Sequence, residues 1–362
     1  MTHQITPQPG IMDIALYQGG ASKIAGRADV LKLSSNENPL GPPPSAQKAI
    51  VAAAATAHLY PSTDHADLRA AIGTVHGLDP AQIICGVGSD EVLQFATQAF
   101  AGPGDEIIHT EHGFSLYPVL IRMAGATPVQ VPERDRVVDV EALVSAISER
   151  TRIMQVTYPG IPTGTMMDPA EVSRLIASVP EHVLVVLDGA YTEYTEGYDG
   201  GAALAGSRPN VLMTRTFSKI YGLGGLRIGW GYGARWLVEV MTRIRQPFNL
   251  STVQMNAATA AVNDRAWVKT CVALNQAQRA RLIGALGQLG VACDPSETNF
   301  VLARFASEAE ADAAYAALVA AGILVRQVKG YGFPEGLRIT VGDADQTGQV
   351  IAALTHWREV AA

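Results

Sequence analysis

The chain has 362 residues, enough for two domains of ordinary size, which usually run to about 100–200 residues each. Apolar residues make up 48% and charged residues 17%, which supplies a large core and excludes the polar bias of disordered chains. With 27 Lys and Arg against 34 Asp and Glu, the net charge of -7 excludes an extended basic surface, so nucleic acid is not expected as a partner.

The start, Met1-Thr2-His3-Gln4, lacks the basic and apolar segments of a signal peptide, and no apolar run reaches membrane-spanning length, so neither export nor insertion is expected. Residues 1–40, with Pro7 and Pro9, predict an N-terminal arm that ends in the turn-rich run Asn38-Pro39-Leu40-Gly41-Pro42-Pro43-Pro44. The alanine runs at 52–55 and between 310 and 321 predict helix faces. Strand candidates follow at 83–85, 106–109, 127–131, 153–156, 183–187 and 211–214, separated by segments of helix length. This alternation predicts an α/β large domain over 41–250, with a mostly parallel sheet covered on both faces and ligands at the carboxyl ends of its strands. Beyond Pro247 the sequence turns helical and alanine-rich, and residues 299–304 and 337–341 predict a few strands in a smaller α+β domain over 251–362. The arm is expected to pack on that domain and make it discontinuous. Cys85, Cys271 and Cys293 are odd in number, far apart and free of C-x-x-C spacing, which fits a reducing cytoplasm.

Familiar motifs fail. Gly86-x-Gly88 and Gly222-x-Gly224 both lack the third glycine of a dinucleotide fingerprint, Glu91 and Arg227 standing there. No phosphate loop of the Walker type, zinc-protease helix or nucleophile elbow occurs, and the 8 histidines show no ligand spacing, so no metal site is expected.

What remains is a set of residues at one sheet edge. The apolar run 183–187 ends in Asp188, and the run 211–217 ends in Ser218-Lys219. Alone, Asp188 reads as a turn former and Lys219 as a surface lysine. Buried, the carboxylate needs a cation or donors, and the lysine becomes a base able to form a Schiff base. Thr216, Ser218 and Arg227 flank the lysine with donors. Gly88-Ser89-Asp90 sits where a strand turns into a helix, whose free N–H groups make an anion site. Together these suit pyridoxal phosphate, which needs a lysine for its aldehyde, an anion beside its ring nitrogen and donors for its phosphate.

The string from Met213 to Gly229, centred on Ser218-Lys219, resembles the lysine motif of fold type I pyridoxal-phosphate aminotransferases, and more narrowly of the histidinol-phosphate aminotransferase family. Asn36-Glu37-Asn38-Pro39-Leu40-Gly41-Pro42, Tyr60-Pro61, Gly88-Ser89-Asp90-Glu91, Asp188-Gly189-Ala190-Tyr191 and Leu337-Arg338-Ile339-Thr340 extend the likeness over nearly the whole chain. The resemblance implies a mostly parallel sheet of the seven-stranded type between helices, with a smaller α+β domain. It implies transfer of an amino group between histidinol phosphate and 2-oxoglutarate in histidine biosynthesis. Lys219 would carry the internal aldimine and shuttle the proton, Asp188 would pair with the ring nitrogen, and Tyr191 would donate to the phenolic oxygen. Phe114 would stack on the ring. Ser89, Asp90, Ser218 and Arg227 would hold the phosphate, joined by Tyr60 from the other subunit of a homodimer. Arg338 would grip the anionic end of the substrate, with Arg326, Tyr17 and Asn38 as further substrate-binding candidates.

One loop departs from the family pattern. Tyr158-Pro159-Gly160-Ile161-Pro162-Thr163-Gly164 keeps the frame, but Ile161 stands where the family asparagine bonds the phenolic oxygen. Tyr191 should then be the main donor there. The change leaves open an aminotransferase for aromatic or non-natural amines, a laboratory-evolved pocket, or a related decarboxylase.

Overall fold

Short runs of Val, Ile and Leu bounded by turn residues form the strands of the computed structural model, which describes residues 5–16 and 19–361. In chain order these are β1 (Leu31–Lys32), β2 (Ile83–Gly86), β3 (Glu106–Thr110), β4 (Thr127–Val131), β5 (Thr151–Thr157), β6 (Leu184–Asp188) and β7 (Val211–Thr216). There follow β8 (Gly229–Gly233), β9 (Ala292–Cys293), β10 (Phe300–Arg304), β11 (Ile323–Leu324), β12 (Arg326–Gln327) and β13 (Gly336–Thr340).

The large sheet has seven strands in the order β2-β8-β7-β6-β5-β3-β4. Only β8 runs against its neighbours, so the other strands present their carboxyl ends at one edge. Successive residues of a strand face opposite sides. Val185 and Leu187 therefore join the core on one face, while Leu184, Val186 and Leu212 join Ile84, Val92 and Leu93 on the other. The mostly parallel sheet covered on both faces is present as expected.

β8 has no counterpart among the expected strands. Its sequence, Gly229-Trp230-Gly231-Tyr232-Gly233, carries glycine where an apolar period would reveal a strand. The reason is close approach: a Cβ on Gly229 would lie 2.1 Å from the backbone nitrogen of Ser89, at the start of the helix Gly88–Phe100.

The expected boundary at residue 250 is corrected by the packing. Ala257, Ala258, Ala261 and Val262 of the helix Thr252–Asn263 lie in the large core, as does Cys271 of the helix Arg265–Gln288. Leu282 and Leu286, later in that second helix, belong to the smaller core. The small alanine face lets Thr252–Asn263 pack against Pro44–Ala54 and Ala66–His76, so the change of lobe falls inside the long helix.

The smaller lobe holds the antiparallel sheet β12-β13-β10-β9. Residues of the arm complete it: β1 pairs parallel with β11, Leu33 enters its core, and the Arg27 guanidinium donates to the Ala320 and Ala321 carbonyls at 2.8 and 3.0 Å. Those carbonyls end the helix Glu308–Ala320, where a cation is favourable. No described helix is long and apolar enough to cross a membrane.

Candidate active site

The strand register builds the first part of the site. Thr157 of β5 and Thr214 of β7 are the direct partners of Asp188 in β6, so the three residues form one row at the carboxyl edge. Thr214 Oγ1 donates to Asp188 Oδ1 at 2.9 Å, and the Tyr117 hydroxyl donates to Oδ2 at 3.0 Å while bonding Thr157 Oγ1 at 2.7 Å. Asp188 is buried, and burial pushes its carboxyl up to about 6 against the pull of those two hydrogen bonds. A carboxylate so enclosed is stabilised by a cation set against it.

Beyond the end of β7 the chain turns and half-buries the Lys219 side chain. Its amine donates to the Ser35 carbonyl at 3.4 Å and lies 5.8 Å from the centre of the Tyr191 ring. Burial, then Arg338 and Arg227, bring it down to about 8. Such an amine is available as a base near neutral pH.

Arg227, with a left-handed φ of 54°, folds back so that Nη1 reaches Ser218 Oγ at 3.0 Å and Nη2 reaches Asp90 Oδ2 at 2.9 Å. Gly88, at φ 80°, opens the helix against it; a Cβ there would lie 2.6 Å from Arg227 Nη2. The left-handed backbone favours glycine, and a side chain here would push the Arg227 guanidinium from its place. Ser89, Ser218 and Arg227 therefore converge on the helix N-terminus, an anion cradle. Thr216 lines the same cavity, with its hydroxyl taking the Ser218 N–H at 3.0 Å.

The smaller lobe supplies another part of the cavity wall. Arg326 and Arg338 are cross-strand partners in β12 and β13, and both line it. Arg338 donates to the Ser34 carbonyl at 3.1 Å and stands 5.3 Å from the centre of the Phe300 ring. Like charges directly opposite in a sheet repel, a cost offset when an anion binds at both. Phe114, Ile161 and Tyr191 complete the walls, and the open space is about 900 Å³.

Most of the expected residues are thus brought together, with exceptions. Asn38 is not in the cavity lining; its amide donates to the Ile220 carbonyl at 2.7 Å and to Cys271 Sγ at 3.2 Å, which fixes the turn. Tyr60 is 84% exposed, outside its own cavity, and stacks on Phe248 with ring centres 4.6 Å apart. Tyr17 lies outside the described residues. Asn36, Tyr117, Thr157 and Thr214 were not among the expected site residues. Asn36 stands two positions before the asparagine expected to bind substrate, and Thr214 could be found from the register opposite Asp188; nothing local marks Tyr117.

Set against pyridoxal phosphate, this donor set fits: an amine, a buried carboxylate held by two hydroxyls, a phenol and an anion cradle that a side chain on Gly88 would fill. Cofactor-free protein gives a check. The unfolded chain releases the Asp188 proton near 3.8 and the folded chain near about 6, so folding stability from this group falls as pH rises through that window. Asp188→Asn should stabilise the cofactor-free protein at about pH 8 by up to about 3 kcal/mol relative to its effect near pH 4, at about 1.4 kcal/mol for each pH unit. Urea unfolding at both pH values would show it, and equal effects would refute the assignment.

A family model described as aminotransferase class I and II matches residues 28–354. The chain is 62% identical over 360 residues to a histidinol-phosphate aminotransferase of Ruegeria pomeroyi, covering 99% of this chain and 100% of that one. It is 59% identical to a histidinol-phosphate aminotransferase of Roseobacter denitrificans, covering 99% of each. Among solved structures, the histidinol-phosphate aminotransferase of Sinorhizobium meliloti in complex with pyridoxal-5'-phosphate superposes with a TM-score of 0.89 at 27% identity, covering 98% of both chains.

Proposed function

The chain belongs to the class I and II aminotransferases, and on that premise we propose that it moves the amino group of L-histidinol phosphate to 2-oxoglutarate in histidine biosynthesis. The observation that carries the substrate is the cross-strand pair Arg326 and Arg338, two guanidinium groups that line the same cavity as the Arg227 cradle. Such a pair suits a phosphate in one half-reaction and a carboxylate in the other. The relatives of the same name, alike over almost their whole length, support the reading.

When bound, pyridoxal phosphate supplies an electron sink for the carbanion left when the substrate α-carbon loses its proton. The Lys219 amine takes that proton and returns it one position away; burial lowers its hold on a proton, so the neutral form that can accept is accessible near neutral pH. Asp188, fixed by Thr214 and Tyr117, holds a positive charge at the ring nitrogen. Tyr191 donates to the phenolic oxygen, and Ser89, Ser218 and Arg227 hold the phosphate. Arg326 and Arg338 orient the substrate by its anionic end, and the buried walls keep water from the α-carbon.

A coupled assay of glutamate formation over histidinol phosphate, aromatic amino acids and simple amines tests the substrate. Histidinol phosphate should exceed phosphate-free donors by about a hundredfold or more in kcat/KM, the worth of two charge-assisted bonds. Equal rates would favour the broader aminotransferase left open by Ile161, and release of carbon dioxide would favour the decarboxylase.

A homodimer is part of the proposal. The exposed Tyr60–Phe248 pair suits a partner's surface, with Tyr60 reaching the partner's phosphate cradle. The free Cys85, Cys271 and Cys293 support a reducing cytoplasm.

A further inference from the structure

Tyr191 enters the cavity from the large lobe, but its hydroxyl is held by the N-terminal arm. Its oxygen accepts a hydrogen bond from Asn36 Nδ2 at 2.8 Å. The rest of Asn36 is tied to the smaller lobe. Thr340 Oγ1 donates to Asn36 Oδ1 at 3.3 Å and accepts the Asn36 backbone N–H at 3.0 Å, while Asn299 Nδ2 donates to the Asn36 carbonyl at 2.9 Å. The backbone itself is left-handed, at φ 57°, a conformation that asparagine tolerates better than most residues. An asparagine amide can be turned over with little change in shape, so its partners must decide its orientation. Here Thr340 claims the oxygen, which leaves the amide hydrogens for Tyr191.

A tyrosine hydroxyl has one proton to give and lone pairs to receive. Because Asn36 donates to Tyr191, the tyrosine proton stays available for an acceptor inside the cavity. Accepting also polarises the O–H bond and makes it a stronger donor. An acceptor at position 36 would draw the proton out of the cavity instead. Ile161, which lines the same cavity, offers only methyl surface and cannot share the task.

We infer that Asn36 is a positioning residue: its amide aims the Tyr191 proton at the phenolic oxygen of the bound cofactor, so the seating of the arm on β13 governs how well that oxygen is stabilised as an anion. This rests on the reading that Lys219 and Tyr191 face pyridoxal phosphate. It also ties the two ends of the site together. Thr340, which fixes the Asn36 amide, lies two residues beyond Arg338 on the strand that holds the substrate's anionic end.

The charged and titratable groups facing Tyr191 and Lys219 are Arg338 and Tyr331 from the smaller lobe, Asp188, Asp90 and Arg227 from the large one, and Glu37 from the arm. None of these is changed by substitution at 36, so the effect of the amide can be isolated. The readout is the pH midpoint of the visible absorbance band of the cofactor-loaded enzyme. A phenolic oxygen stabilised by Tyr191 holds the proton it shares with the Lys219 nitrogen less tightly, so loss of that donor moves the midpoint to higher pH.

Asn36→Asp, nearly the same shape but an acceptor, should raise the midpoint by about one pH unit or more, a tenfold change in the proton equilibrium. Asn36→Ala should raise it less. Both shifts should largely vanish in a Tyr191→Phe background, and Ile161→Asn should reduce the Asn36→Ala shift by supplying a second donor. Unmoved midpoints in both single variants would overturn the inference. So would shifts of undiminished size without the Tyr191 hydroxyl, since the new group would then be acting on the cofactor directly. If Asn36→Asp does not fold, Thr340→Val, which frees the amide to turn over, must raise the midpoint for the inference to stand. A wild-type enzyme with no borohydride-sensitive visible band would remove the cofactor reading and this inference together, whereas a titrating wild type with unmoved variants removes this inference alone.

Discussion

Lys219→Ala is expected to lower kcat by about ten-thousand-fold, the upper range for loss of a positioned proton carrier. Among the described residues, nothing else in the site can take its place. The guanidinium groups of Arg227, Arg326 and Arg338 offer donors and no acceptor, Asp188 is occupied by Thr214 and Tyr117, and burial makes the Tyr191 hydroxyl hold its proton more tightly than usual. The cradle of Ser89, Ser218 and Arg227 does not depend on the lysine, so the variant should still bind pyridoxal phosphate. Single-turnover kinetics of the loaded variant, with equilibrium dialysis for cofactor, separate the two effects. A variant that retained a tenth of wild-type turnover would place the base elsewhere, and one that bound no cofactor would mean that the cradle is not the main anchor. Borohydride treatment of the wild type followed by peptide mapping should leave the label on Lys219.

Asp188→Ala is expected to cost about a thousandfold in kcat, within the range for a preorganised charge removed from a buried site. The loss has two sources. The ring nitrogen would lack its anion, and the hydroxyls of Thr214 and Tyr117 would be left as buried donors with one partner fewer. Asp188→Glu should recover part of the rate if charge is the dominant source, and Asp188→Asn should recover little. Thr214→Val keeps the charge and removes one donor, so its loss should be smaller, about tenfold. If Asp188→Asn matched the wild type in steady-state assays, the carboxylate would have no electrostatic role in the reaction.

How far the sequence reveals this site depends on how its residues are brought together. Asp188 ends an apolar run, so the break from apolar to charged residues marks it along the chain; Lys219 follows a strand-like run that already contains Arg215, and the parallel sheet carries both to one edge. Arg227, Ser218 and the Gly88 turn follow from local chemistry and from the family likeness. Asn36 and Tyr117 depend on contacts across long separations, with hydrogen bonds to Tyr191 and Asp188, and no spacing rule reports such pairs. β8 is hidden for a different reason: its glycines answer to close neighbours, Gly229 to the backbone of Ser89, Gly231 to the Val92 side chain and Gly233 to the Val211 carbonyl, rather than to a strand pattern. The lobe boundary was misplaced because an alanine-rich helix reads alike whether it belongs to one core or the other, and only its packing partners decide.

The pairing of β1 with β11 imposes an order on how the protein comes off the ribosome. Every strand of the large sheet has been made once Gly233 is synthesised, so that sheet can condense while the rest of the chain is still emerging. The arm cannot follow it. Leu31 and Lys32 have no strand to join until Ile323 and Leu324 appear, and Asn36 has no Thr340 to hold it until later still. A nascent chain stalled once β8 has emerged should therefore hold a formed sheet while the arm around Leu31 and Lys32 remains open to protease until Ile323 and Leu324 emerge to close it.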